Sequence, residues 1–437
     1  MQCLILAAGK GERIRNKGDT KPLISFLGIP LIERVIYTCR EAGLNDLYIV
    51  VGYNKDRIKE RLRDGEKYGV KIIYIENDQW EKGNGISCLQ ARDYADGKFI
   101  LMMSDHVINK EILLRIKKEK ITDDEIILAV DYNRKNYIDI EDVTRVRVDG
   151  EKISDIGKNL RDYNGFDTGV FLCSPALFDA LEKSLEAGDD TLSGGIRYLA
   201  RKGKAKALDI GDLFWIDVDT ENSFKQGERI LLKGLKKKTD GPVSKILNRP
   251  LSIFLSRYLV KTPIKPNHIS VISFLISVLA AAFFFIGNYT NLLIGGILAQ
   301  FSSIIDGCDG EIARLKYQST EFGGWFDAVL DRYADAFMVV GLTYYLWLLN
   351  PQVFIWLVGT LALLGTFMNS YTADKYDSYL IKKLKTSKYT WRIGRDIRIF
   401  IIFLGSVTNQ VLIALAILAF LTNLEVIRRV YIISKRQ

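Results

Sequence analysis

The sequence predicts two fold classes in one chain: an α/β domain on a mostly parallel sheet, then an all-α domain of six transmembrane helices. Three observations predict this. Short apolar runs alternate with charged helical stretches over residues 1–235. From Ile269 onward, long segments carry no charge. Acidic side chains then crowd the end of one of those segments. The 437 residues are 48% hydrophobic and 26% charged, an average that conceals the split. So much apolar residue excludes intrinsic disorder, and the uncharged segments exclude a purely soluble protein. Five scattered cysteines exclude a disulfide framework or zinc ribbon and read as small buried residues. Two histidines leave little room for histidine-based metal sites.

The opening MQCLILAAGKGER lacks the basic start of a signal peptide, so the front half is expected in the cytoplasm. Cys3 to Ala7 reads as a buried strand, and Gly9-Lys10-Gly11 after it offers backbone N–H groups to phosphates. Arg13 and Lys21 add positive charge. Further strands are expected at Leu47–Tyr53, Lys71–Asn77 and Lys98–His106. Asp105 closes the last of these, where ligands bind in α/β sheets; a turn or cap is the plainer reading. Asp217 and Asp219, in FWIDVDTENSF, stand two apart on one strand face. KGLKKKTDGP (Lys233–Pro242) reads as a linker that is either a solvated hinge or a contact with anionic lipid. Leu251–Leu259 is amphipathic and expected along a membrane interface.

The uncharged segments are Ile269–Gly287, Asn288–Ile305, Ala336–Ala373 (broken at Asn350-Pro351) and Ile399–Leu424 (broken at Gly405–Gln410). They make six spans, with five as the alternative. The turns at Gly287–Asn291, Asn350–Gln352 and Gly405–Gln410 hold no Lys or Arg, whereas the alternate connections hold many. The positive-inside rule then places both termini and the front half on the cytoplasmic side of the cell membrane. The net charge of +9 sits mainly in these flanking loops, so nucleic acid is not an expected partner.

Asp306, Asp309 and Ala313 fall at i, i+3, i+7 on one helical face, and Asp327 and Asp331 at i, i+4 on the next helix. Four carboxylates at adjacent helix ends repel unless a divalent cation or two lies among them, and oxygen ligands suit Mg²⁺ or Mn²⁺. Gly310 lets a ligand approach the backbone, and Gly323 lets the helices cross closely. Arg392, Arg395 and Arg398 open the fifth span; they fit either a phosphate on a second substrate or plain positive-inside flanking.

Asp306, Asp309, Gly310, Ala313, Arg314, Gly323, Asp327 and Asp331 match the signature of the CDP-alcohol phosphotransferase family, D-x-x-D-G-x-x-A-R followed by G-x-x-x-D-x-x-x-D, at every position. The resemblance extends to Pro266-Asn267 before the first span. It implies a six-helix membrane enzyme that moves a phosphoalcohol from a CDP-alcohol to an acceptor hydroxyl, releasing CMP. It assigns metal to Asp306, Asp309 and Asp327 with Asp331 beside them, and nucleotide to Asn267, Gly310, Ala313 and Arg314. Asp331 is also the implied general base. Homodimers are common in that family.

The opening string, L-x-x-G-x-G-x-R followed by K-P-L, resembles nucleotidyltransferases, which implies a Rossmann-like α/β nucleotidyltransferase fold. It assigns Leu6, Ala7, Ala8, Gly9, Gly11 and Lys21 to the nucleotide, Arg13 and Lys21 to catalysis, and Asp105, Asp217 and Asp219 to Mg²⁺. Gly83, Asn84, Gly85 and Ser87 resemble the segment that reads the base, and Asp167 lies where relatives grip the sugar or polyol. The boundaries expected are 1–232, a linker at 233–248, and 249–437. Together the halves resemble the fused family that makes a di-inositol phosphate solute. That resemblance implies CTP and inositol-1-phosphate as substrates of the first half, CDP-inositol as the intermediate, and inositol-1-phosphate as the acceptor of the second. The alternative is headgroup transfer from the CDP-alcohol onto a lipid.

Overall fold

In the first strand, β1 (Gln2–Ala7), Cys3, Ile5 and Ala7 face one apolar layer while Leu4 and Leu6 face another. A strand apolar on both faces must be covered on both. This sets the plan of the N-terminal unit, Met1–Ile230. The structure is a computed structural model that describes residues 1–437 except 96, 134, 136–141, 238, 385–392 and 436–437, and only the backbone of 377–384.

The strands that follow are β2 (Ser25–Phe26), β3 (Ile29–Pro30), β4 (Asp46–Val51), β5 (Lys71–Glu76), β6 (Phe99–Met103), β7 (His106–Ile108) and β8 (Ile126–Asp131). Then come β9 (Arg145–Asp149), β10 (Lys152–Gly157), β11 (Gly165–Cys173), β12 (Ala205–Asp209) and β13 (Trp215–Asp217). Nine form one sheet in the order β5-β4-β1-β6-β11-β8-β12-β10-β9. β5, β4, β1 and β6 run parallel, as do β8 and β12. β11 is antiparallel to β6 and β8, and β10 to β12 and β9. The expected mostly parallel sheet is therefore corrected to a mixed one. Residues 145–173 return by tight turns, one through Gly150 at φ 64, and need no crossover helix. The helices are α1 (Leu31–Glu41), α2 (Lys55–Leu62), α3 (Asn84–Leu89), α4 (Lys110–Ile116), α5 (Ala176–Glu186), α6 (Leu192–Arg201) and α7 (Glu221–Lys233).

The second unit, Leu231–Gln437, contains α8 (Arg249–Leu259), α9 (Pro266–Phe285), α10 (Tyr289–Leu315), α11 (Glu321–Leu349), α12 (Val353–Leu384), α13 (Arg395–Val407) and α14 (Val411–Ser434). Among the described residues, four helices are long and apolar enough to cross a membrane: α9, α10, α12 over Val353–Tyr376, and α14. Two of the six expected spans do not meet that measure. α11 carries Asp327, Asp331, Arg332 and Asp335, and α13 has only 13 residues. Small residues bring the helices together: a Cβ at Gly341 would stand 3.1 Å from the Ala281 carbonyl, joining α9 to α11. α8 is amphipathic as expected, but its buried face is polar. Leu251, Phe254 and Tyr258 are exposed while Ser252 and Ser256 are fully buried.

Candidate functional sites

In the N-terminal unit, β1, β4 and β6 end at one edge of the sheet, and the chemistry gathers there. Gly11 has φ 66, a left-handed conformation, and a Cβ there would strike the Lys21 side chain. This brings Lys21 inward. Its side chain is 8% exposed, and its ammonium pairs with Asp105 and Asp219, with Asp217 at 3.8 Å. Arg13 pairs with Asp219 and with Asp142. The β7–β13 ribbon sets Asp217 opposite His106, and the Val218 N–H donates to the Asp105 carbonyl at 3.1 Å. Asp219 lies past the end of β13, so the two acids do not share a strand face as expected. Its N–H donates instead to Ser223 Oγ, at 3.0 Å.

Burial alone would lower the Lys21 ammonium, but Asp105, Asp217 and Asp219 hold it well above its ordinary value. Burial opposes ionisation of Asp105 too, yet Lys21 and His106 keep its carboxyl below the usual range. Asp217 is pushed up to about 6 by burial, with Asp105 and Asp219 adding to it. Asp167 is also pushed up to about 6 by burial, against the hydrogen bond it accepts from the Gly169 N–H at 2.7 Å. Leu6, Ala7 and Ala8 are buried, whereas a side chain at Gly9 would meet open space. Asn84 lines a cavity of about 180 Å³ with Asp105, His106, Asp142, Asp167 and Asp217. Its Oδ1 accepts from the Leu192 N–H at 2.8 Å. The Gly83 N–H donates to Asp190 at 2.7 Å, and Ser87 accepts from Asn77 at 2.9 Å. A larger cavity of about 850 Å³, between Lys17–Ser25 and α2, holds none of these residues.

In the C-terminal unit, Asp306 and Asp309 project from α10, Asp327 and Asp331 from α11. Carboxylate oxygens of Asp306, Asp327 and Asp331 all lie within 4.8 Å of one another. α9 holds the α10 pair: Ser270 donates to Asp309 at 2.6 Å and Ser273 to Asp306 at 3.0 Å. A cavity of about 360 Å³ is lined by every position of the acidic motif except Asp331, and by Asn267. Arg395 enters the acidic group itself, 2.7 Å from Asp331 and 3.1 Å from Asp306 and Asp335. Arg398, 4% exposed, pairs with Asp335 at 3.2 Å and donates to the Thr366 carbonyl. Arg392 lies outside the described residues.

Residues 3–203 match the MobA-like NTP transferase domain and residues 264–422 the CDP-alcohol phosphatidyltransferase family. A protein of Rubrobacter xylanophilus described as a bifunctional IPC transferase and DIPP synthase is 34% identical, over 99% of this chain and 96% of that protein. The chain belongs to that family. The Aquifex aeolicus member is 33% identical, over 99% of this chain and 98% of its own length. Among solved structures, the inositol-1-phosphate CTP transferase from T. maritima is 28% identical, with a TM-score of 0.46, over 51% of this chain and 90% of that one.

Both sites of this bifunctional transferase also hold residues to which the sequence motifs assign no part. In the membrane unit they are Ser270, Ser273 and Asp335. The signal was present: serines at 270, 273 and 277 make one polar stripe on an apolar helix, and Asp335 continues the i, i+4 series from Asp331. In the soluble unit they are Asp142 and His106. His106 Nδ1 lies 2.9 Å from Asp105, and its ring stacks on Trp215, whose indole donates to Asp131 at 2.8 Å. No spacing joins these positions; strand pairing does. Both acidic groups fit a divalent cation. Each offers three or more side-chain donors within reach of one another, mostly oxygen, and buried Asp217 Oδ1 has no hydrogen-bond partner among the described residues.

Proposed function

We propose that the chain makes a phosphorylated di-inositol phosphate in two steps. In the N-terminal unit, a phosphate oxygen of inositol-1-phosphate attacks the α-phosphorus of CTP, giving CDP-inositol and pyrophosphate. In the C-terminal unit, a hydroxyl of a second inositol-1-phosphate attacks the inositol-bearing phosphorus of CDP-inositol, and CMP leaves. The observation that carries this is collinearity: bifunctional relatives align over nearly the whole chain, and both acidic groups assemble in it.

Asp105, Asp217 and Asp219 in one unit, and Asp306, Asp309, Asp327 and Asp331 in the other, would hold Mg²⁺ or Mn²⁺, which offsets negative charge on the phosphates when bound. Arg13 and Lys21 face the triphosphate from the loop after β1 and stabilise charge as pyrophosphate departs. Lys21 then exchanges carboxylate partners for phosphate. Asp331 accepts the acceptor hydroxyl's proton, and Arg395 fixes its carboxylate in place. On this reading Arg395 and Arg398 meet a phosphate on the acceptor in exchange for their carboxylate partners. The proposal includes all six helices α9–α14 as spans, a homodimer through the membrane unit, and both termini in the cytoplasm. It keeps 1–232 and 249–437 as the two catalytic domains. Purified full-length protein in detergent, given CTP, Mg²⁺ and inositol-1-phosphate, should yield CDP-inositol, then the phosphorylated di-inositol ester and CMP by mass spectrometry. CDP-inositol that accumulates until lipid is added would overturn the soluble acceptor.

A further inference from the structure

The cavity beside the acidic motif is also lined by cations, two of which lie outside the motif. Three carboxylates, Asp306, Asp309 and Asp327, line it together with three cations, Lys237, Arg249 and the motif's own Arg314. Two of the cations are already engaged. Arg249 makes a two-pronged pair with Asp240, at 3.0 and 2.9 Å, and a third contact of 2.7 Å with fully buried Glu311. Arg314 donates to the Leu235 carbonyl at 3.3 Å.

The same contacts pin the segment from which Lys237 projects. Leu235 is 4% exposed. Asp240 accepts from the Lys237 N–H at 2.8 Å, and its own N–H donates back to the Lys237 carbonyl at 3.1 Å. Ser252 and Ser256 each donate to Glu311 at 2.7 Å, which locks α8 and Arg249 against α10. Leu235, Lys237 and Asp240 are therefore held on this unit rather than belonging to a free hinge. Among the described residues, the Lys237 ammonium makes no hydrogen bond or ion pair. Burial, with Arg314 and Arg249 nearby, lowers its pKa, so an incoming anion improves its surroundings.

We propose that Lys237 binds a phosphate of the CDP-alcohol, so that the segment between the two domains supplies a ligand-binding residue to the membrane-unit site. The diphosphate would meet Lys237 as well as the cation that the carboxylates would hold. This rests on the CDP-alcohol reading of that site.

The test uses the full chain in detergent, supplied directly with CDP-inositol and inositol-1-phosphate, and follows CMP release. Lys237→Ala should raise KM for CDP-inositol about tenfold with kcat within about twofold, the loss of one charge-assisted hydrogen bond. Lys237→Glu should raise it further, and Lys237→Arg should stay near the unsubstituted protein. Lys236→Ala, one residue away and outside the cavity, should change nothing. Cytidylyl transfer by the same preparations reports on folding. An unchanged KM in Lys237→Glu while Asp331→Asn is inactive would overturn the role of Lys237 alone. Full CMP release by Asp331→Asn would overturn the reading of the site. An effect of Lys237→Glu seen only with anionic vesicles would make the segment a membrane contact and likewise overturn the proposal.

Discussion

The two acidic sites gather similar side chains by opposite means. In the membrane unit, Asp306, Asp309, Asp327 and Asp331 come from two successive helices, and helical spacing alone sets them on facing sides. In the soluble unit, Asp105, Asp142, Asp217 and Asp219 come from segments far apart in the chain, and only the β7–β13 ribbon and the sheet edge unite them. Charge is balanced differently too. Lys21 and His106 lie among the soluble acids, whereas serine hydroxyls and one arginine hold the membrane acids. A helix pair writes its site into the sequence as a period; a sheet writes it only into the fold.

The comparison breaks most sharply at the proton acceptor. Asp331→Asn should reduce CMP release from CDP-inositol about 10³-fold, measured with CDP-inositol supplied, while CDP-inositol still forms from CTP. Comparable activity in the variant would remove Asp331 from the chemistry. Next in size is the anchor of α8. Glu311→Ala leaves Arg249 its Asp240 partner but strands the buried Ser252 and Ser256 hydroxyls, and should cost about 1–3 kcal/mol, read as a lower unfolding temperature in detergent. Its counterpart on the surface of the soluble unit, Glu186→Ala beside Lys183, should cost no more than about 0.5 kcal/mol.

How much of each site is legible follows from the same contrast. Asn267 follows only from the family resemblance, whereas the acids of α10 and α11 are readable because helix periodicity turns sequence distance into spatial distance. The serines of α9 carried a signal of the same kind. Asp142 and His106 carried none, because their place depends on which strands pair. The mixed sheet is hidden for a related reason: β9 and β10 have alternation that fits either direction, β11 is buried nearly throughout, and direction is set by the turns between them. Arg395 opens a helix, α13, but its three carboxylate partners come from α10 and α11 and are visible only in the fold.

pH should separate the sites further. Asp217 titrates near 6 in the folded unit against an ordinary value near 3.8. The folded state therefore takes up this proton at higher pH than the unfolded chain. The stabilising effect of protonation is complete below the unfolded value and is lost as pH rises through about 6. Metal needs the ionised carboxylate, so half-saturating Mg²⁺ for cytidylyl transfer should rise about tenfold per unit as pH falls below 6. Asp217→Asn should flatten that dependence; a profile unchanged by the substitution would exclude Asp217 as its source. A small effect on activity is expected at Ser270. Ser270→Ala removes one hydrogen bond to Asp309, about 1.4 kcal/mol, and should weaken Mg²⁺ binding for the second step only, by about tenfold.

In the proposed function, two separate sites in one chain perform consecutive reactions through a released or shared CDP-inositol. Mixing two inactive variants tests it most directly. Asp219→Asn alone should make nothing from CTP but convert supplied CDP-inositol to product and CMP. Asp331→Asn alone should stop at CDP-inositol and pyrophosphate. Together, with CTP and inositol-1-phosphate, they should restore the phosphorylated di-inositol ester. Final product from either variant alone on CTP would contradict the division of labour.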